Sequence, residues 1–194
     1  MIIGLTGGIG SGKTTIAKAL NEMGYSVYLT DQKAKEIIHN NLCVRSQVEY
    51  LFGSDIFKHG KLDTKRVAEL VFNNPALLKE YEKVVHPAVL FDVEQWGKTL
   101  NGIGFVESAI LYESGLNRYC QAVVAVTAPL EIRIQRTVER DKTNPQAVEN
   151  RIKQQMSYDE IEKKADLVVI NDGKKTISQL CLQIQDFCSK FVGI

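Results

Sequence analysis

Residues Gly7-Gly8-Ile9-Gly10-Ser11-Gly12-Lys13-Thr14 satisfy the spacing Gly, four residues, Gly-Lys-Ser/Thr. These residue types suit one task, the cradling of phosphate. Glycines let backbone N–H groups approach phosphate oxygens, because no side chain stands between. Lys13 supplies a compact cation for the outer phosphates, and the Thr14 hydroxyl is an oxygen ligand for Mg²⁺. The candidate nucleotide contacts are therefore Gly8, Ile9, Gly10, Ser11, Gly12, Lys13, Thr14 and Thr15. A glycine-rich turn that matches by chance would lack suitable flanks. Here Ile2–Leu5 reads as a short buried strand, and Ile16, Ala17, Ala19, Leu20 and Met23 recur at helical spacing until Gly24, a helix-ending residue. The helix N-terminus would then face the anion with its dipole. The chain is expected to bind a nucleoside triphosphate.

A phosphate loop alone does not separate a kinase from a GTPase switch or a motor. The Asp-x-x-Gly and Asn-Lys-x-Asp patterns of GTPases are absent, and Phe105-Val106-Glu107 only loosely matches a motor's strand ending in an acid. Small-molecule kinases carry an acceptor-binding insertion and an arginine-bearing lid, and both have counterparts here. Asp31 follows the second predicted strand, at the carboxyl edge where open parallel sheets bind ligands. A carboxylate there suits the orientation and deprotonation of an acceptor hydroxyl; the other reading is a cap for a helix starting at Gln32. Arg133, Arg136 and Arg140 form a stripe ahead of Asp141, either a solvated face or a lid that stabilises a transferring phosphoryl group, with Arg140 the first candidate. His86, before Pro87, either ends a helix or touches the acceptor. Glu113 is a turn carboxylate on the acceptor edge or a surface group.

These groups need a scaffold. Five segments read as parallel strands: Ile2–Leu5, Ser26–Thr30, Ile103–Glu107, Ala122–Thr127 and Leu167–Ile170. The segment 31–101 is too long for one crossover helix and reads as mostly helical. It is marked by Ala34, Ile37 and Ile38, by Val67, Leu70, Val71 and Phe72, a break at Asn73-Asn74-Pro75, and then Leu77, Leu78, Tyr81 and Val85. In 129–164, Leu130, Ile134 and Val138 share a helical face, and Asn144-Pro145 is a cap and first helical position for a helix through Val148, Ile152 and Gln155. Asn171-Asp172-Gly173 predicts a turn, and Thr176 a cap for the last helix. Core regions are thus 1–30, 102–128 and 165–194 of one domain, with an insertion at 31–101 and a lid at 129–164.

Composition sets limits on partners. With 24 basic and 23 acidic residues the net charge is +1, which suggests no nucleic acid as main partner. No apolar run is long enough for a membrane span, and the loop lies too near Met1 for a cleaved signal peptide. Cys43, Cys120, Cys181 and Cys188 form no C-x-x-C pair, and His39, His59 and His86 show no metal spacing. Reduced thiols, a cytoplasmic location, no structural zinc and no obligate protein partner are expected.

The chain resembles the dephospho-CoA kinase family. Leu5 through Thr15 matches its opening Leu-Thr-Gly-Gly-Ile-Gly-Ser-Gly-Lys-Ser/Thr-Thr. Asp31-Gln32-Lys33-Ala34-Lys35 is similar to its Asp-x-x-Ala-Arg, and Gly60-Lys61-Leu62-Asp63 with Phe72-Asn73-Asn74-Pro75 to its next signposts. His86-Pro87 follows, then a segment around Arg136 and Arg140-Asp141 that is similar to its lid pattern Gln-x-x-Arg-x-x-x-Arg-Asp, Arg151-Ile152 with Gln155, Ala165-Asp166, Asn171 and Gly173. Departures are Leu29-Thr30-Asp31 for Asp-Ala-Asp, Lys35 for Arg, and Ala109-Ile110-Leu111-Tyr112-Glu113 for Pro-Leu-Leu-Phe-Glu. The first places the whole catalytic burden on Asp31. The resemblance implies an α/β P-loop kinase of the nucleoside-monophosphate-kinase type, with a five-stranded parallel sheet, a helical acceptor-binding insertion and a helical lid. It implies transfer of the ATP γ-phosphate to the ribose 3′-hydroxyl of dephospho-CoA, with Mg²⁺ at Thr14. Lys13, Asp31 and Arg140 would be catalytic, and Asp31, His86 and Glu113 would bind the acceptor. The alternatives are a related kinase for another small acceptor and a nucleotide-gated binding protein.

Overall fold

The computed structural model describes residues 1–72 and 74–191. In chain order it begins with β1 (Ile2–Thr6), α1 (Lys13–Glu22), β2 (Ser26–Leu29), α2 (Thr30–Asn40), α3 (Leu42–Phe52), β3 (Phe57–Lys58) and β4 (Lys61–Leu62). Next come α4 (Thr64–Phe72), α5 (Pro75–Lys98), β5 (Gly104–Glu107) and β6 (Ala122–Thr127). The chain closes with α6 (Leu130–Asp141), α7 (Pro145–Lys153), α8 (Tyr158–Lys164), β7 (Leu167–Ile170) and α9 (Ile177–Ser189). It divides into two compact units, residues 1–29 with 99–194 and residues 30–98.

The first unit is built on a five-stranded sheet ordered β2-β5-β1-β6-β7, parallel at every pairing. The five expected strands are present. Every residue of β1, β5 and β6 is buried, as parallel strands covered on both faces require. Ile3, Leu5, Phe105, Val124 and Val126 meet Ile16 and Leu20 of α1 and Leu180, Ile184 and Cys188 of α9 in one core. Cys181 and Cys188 are buried free thiols, the small hydrophobes expected. Two predicted caps form. Asn144 accepts from Ala147 N–H ahead of Pro145, and Thr176 and Gln179 satisfy each other's backbone N–H groups in a capping box. Thr176→Ala should lower stability by about 1 kcal/mol. The check is the urea midpoint at unchanged m-value, and an unmoved midpoint would show that the box contributes nothing.

In the second unit the helical expectation holds for α2 to α5 but misses a small antiparallel pair, β3 with β4. His59 and Gly60 between them both have positive φ, 50° and 78°, which suits a tight hairpin turn. Arg45 stacks over Phe57 at 4.2 Å and the His39 ring meets the Gly60 carbonyl at 3.0 Å, so α2 and α3 hold the hairpin. Asn74 accepts from Leu77 N–H and opens α5. Asn73, the first residue of the expected break, and the Phe72 side chain lie outside the described residues. Two boundaries move. The second strand ends at Leu29, and Thr30 already belongs to α2, so Asp31 sits inside a first helical turn instead of capping a helix from Gln32. His86-Pro87 does not end a helix, because α5 runs through Pro87. Val85, Val89 and Val93, spaced four apart, are buried on one stripe, and that burial offsets the roughly 3 kcal/mol an interior proline costs.

Candidate active site

β1 delivers the chain to Gly7 and α1 begins at Lys13, so the loop lies between the central strand and a helix N-terminus. Gly10 and Gly12 adopt φ of 78° and 90°, and a Cβ on Gly10 would collide with the Arg133 carbonyl oxygen. Neither position tolerates a side chain without moving the loop. Neighbouring elements hold its backbone. Ile9 donates its N–H to Gln155 Oε1 at 3.0 Å and accepts from Arg133 Nε at 2.9 Å. Asn171 Nδ2 donates to Ser11 O at 2.9 Å, and Arg136 Nη1 donates to Asn171 O at 3.0 Å. Four residues beyond the loop thereby fix its shape before any ligand arrives.

The sheet order supplies a buried acid. β5 lies beside β1 with Glu107 level with Leu5. The Glu107 carboxylate, 5% exposed as a residue, accepts from Thr14 Oγ1 at 3.3 Å and lies 3.8 Å from Lys13 Nζ. Glu107 escaped sequence reasoning because the motif says nothing about which strand stands next to β1. An acid closing an apolar strand was the available signal. A cavity of about 380 Å³ opens on Lys13 and Thr14, lined also by Gly10, Gly12, Thr15 and Lys18 with Arg136 and Arg140 from α6. Cations, loop N–H groups and a helix N-terminus around one hollow can hold a polyphosphate and stabilise charge that moves along it.

The arginine stripe splits two ways. Leu130, Ile134 and Val138 are not the buried face of α6, since Leu130 is exposed and Arg133 and Thr137 are buried. Arg133 goes inside because the Ile9 carbonyl of the loop needs a partner there, and the Thr137 hydroxyl bonds the Arg133 carbonyl of its own helix at 2.8 Å. Arg136 and Arg140 face the cavity. Arg140 also forms two parallel bonds to Asp141, at 2.7 and 3.1 Å, and Arg151 bonds the same carboxylate at 2.7 Å. The hydrogen bonds from Arg140, then those from Arg151, hold the Asp141 carboxyl down at about 2. Ser11 is buried. Gly8 packs against the Arg133 guanidinium and does not line this cavity.

The other predicted residues have local settings of their own. Glu113 accepts from Met156 N–H at 3.0 Å, tying the segment after β5 to the connection between α7 and α8. Asp31 stands in the first turn of α2, two residues past the end of β2. His86 is half-buried in α5, and desolvation pushes its imidazole below the ordinary 6.5 against an opposing effect of Glu82. The folded state then favours neutral His86, and the unfolded state binds the extra proton. Its contribution to stability is complete above pH 6.5 and is lost as pH falls through the lower folded value. Thermal stability should therefore fall from pH 7.5 to 5.5 more steeply in the wild type than in His86→Gln. Equal slopes would remove His86 as the source.

Arg136 and Arg140 reach from the helix after β6 to the cavity beside a phosphate loop that follows the central strand of this sheet. The fold and site define a P-loop small-molecule kinase. Comparison gives the family. The family model described as Dephospho-CoA kinase matches residues 1–176, and the chain belongs to that family. A dephospho-CoA kinase of Fusobacterium nucleatum is 37% identical over 190 residues, 97% of each chain. The crystal structure of TT1252 from Thermus thermophilus superposes with a TM-score of 0.82 at 32% identity, over 98% of this chain and 97% of that one. Dephospho-CoA kinase from Campylobacter jejuni gives 0.71 at 27% identity, over 97% and 98%. The family's reaction, ATP-dependent phosphorylation of dephospho-CoA to CoA, is the activity of this chain.

Proposed function

We propose that the 380 Å³ cavity holds the ATP polyphosphate and that the chain's own residues divide the transfer to the ribose 3′-hydroxyl as follows. Loop N–H groups and Lys13 bind the phosphates. Arg140, with Arg136, stabilises charge on the phosphoryl group in flight. Asp31 orients the acceptor hydroxyl and takes its proton, while His86 and Glu113 contribute to acceptor binding. The oxygen donors Thr14 Oγ1 and Glu107, 3.3 Å apart beside the loop, fit a hard cation, so Thr14 would hold Mg²⁺ with Glu107 in support. Bound there, the ion would neutralise phosphate charge. Helices α6 to α8 act as a lid that excludes water and so spares ATP from hydrolysis. Four free cysteines suit the cytoplasm, where thiols stay reduced.

The observation that carries this reading is the convergence of Lys13, Thr14, Arg136 and Arg140 on one hollow. Arg140→Ala should lower kcat about tenfold to a hundredfold with a smaller change in KM for ATP, since Arg136 remains to bind the nucleotide. A rise in KM alone would make Arg140 a ground-state contact and remove it from the transfer step.

A further inference from the structure

Another arginine-lined hollow of the first unit is unaccounted for by the reaction. It has a volume of about 600 Å³ and lies between the start of α6, the end of α7 and α8. Leu130, Ile152, Ile161 and Ile170 make it largely apolar, and Gly8 brings it to the flank of the phosphate loop. It shares no lining residue with the nucleotide cavity. Along α6, Arg136 and Arg140 turn to one hollow and Arg133 to the other.

Arg133 is 5% exposed, and a cation so placed normally has a carboxylate partner. It has none within ion-pair distance among the described residues. Nε is used on Ile9 O, and the Tyr158 ring lies 5.7 Å from the guanidinium carbon. The remaining guanidinium N–H groups have no hydrogen-bonded protein partner among the described residues. Lys153 adds a second cation to the lining. Glu162 is the single acid there, exposed and beyond 4 Å of the guanidinium. A planar fork of donors buried beside an apolar wall matches a carboxylate or phosphate head on an apolar body.

We propose that this hollow is a second ligand site, which takes a small molecule with an anionic head on Arg133 and an apolar body against Ile152 and Ile161. The site is separate from those of ATP and dephospho-CoA, and it acts on the loop through the Arg133 bond to Ile9.

Hexyl phosphate is the probe, titrated calorimetrically into the full chain saturated with a non-hydrolysable ATP analogue, beside inorganic phosphate and hexanol. One hexyl phosphate should bind per chain, at least about tenfold more tightly than either fragment, since head and body each contribute a contact. Arg133→Gln should weaken it at least about tenfold, the cost of one charge-assisted contact. Because Arg133→Gln also loosens the loop, Ile170→Glu is the second variant. Ile170 is 56% exposed, so the change spares the core while placing a negative charge at the cavity wall. It should weaken hexyl phosphate and leave binding of the ATP analogue unchanged. Absence of binding, wild-type affinity in both variants, or displacement of the probe by the ATP analogue or by dephospho-CoA would overturn the proposal. None of these readouts depends on turnover, so failure here leaves the assignment of the reaction intact.

Discussion

Asp31→Asn is expected to lower kcat at least about a hundredfold while ATP binding stays near the wild-type value, the loss typical of a positioned base. Asparagine keeps the size of the side chain and can still meet the acceptor hydroxyl, but it cannot take its proton. Many members of the family carry a second acid at this turn, whereas Leu29-Thr30-Asp31 offers one, so no neighbouring carboxylate two residues earlier can substitute. Asp31 also lies in the first turn of α2, where a negative charge stabilises a helix by roughly 0.3–1 kcal/mol. That effect separates cleanly from catalysis. It appears as a small shift in unfolding midpoint, and catalysis appears in single-turnover phosphate transfer at saturating ATP. Near-normal turnover in the variant would reduce Asp31 to a helix-start residue.

Glu107→Gln is the second large effect, expected to cost about 10²- to 10³-fold in kcat/KM for Mg²⁺-ATP. The carboxylate is buried beside Lys13 and accepts the Thr14 hydroxyl, so two loop groups take their orientation from one acid. Glutamine leaves Lys13 without this countercharge and can turn an N–H toward Thr14, which reverses the hydrogen bond. The hydroxyl would then present the wrong face to a cation. The loss should lessen as Mg²⁺ is raised, since the damaged site binds the ion more weakly. An undiminished rate at low Mg²⁺ would make Glu107 a fold residue and nothing more.

How far the sequence reached depended on whether a residue's partners were local. The phosphate loop was legible because its chemistry is contained in eight consecutive positions flanked by a strand and a helix. The caps at Asn144 and Thr176 were legible for the same reason. Glu107 was not, because its value comes from β5 lying beside β1, a sheet-order fact that no motif of its own encodes. Arg133 was read as one of a surface or lid row, yet it goes inside to bond Ile9 while Leu130 is left outside. The hydrophobic stripe failed there because an irregular loop has backbone groups that only polar side chains can satisfy. The β3–β4 hairpin was hidden because His59-Gly60 lacks the usual Asn-Gly signal, and Pro87 misled because a buried valine stripe carries α5 past it.

The central claim is transfer from ATP to dephospho-CoA, and the most direct measurement is ADP release from Mg²⁺-ATP with and without dephospho-CoA, with the second product analysed. The account predicts that ADP appears only with the acceptor and that one CoA forms for each ADP. ADP release that ignores dephospho-CoA, or none with it present, would contradict the account.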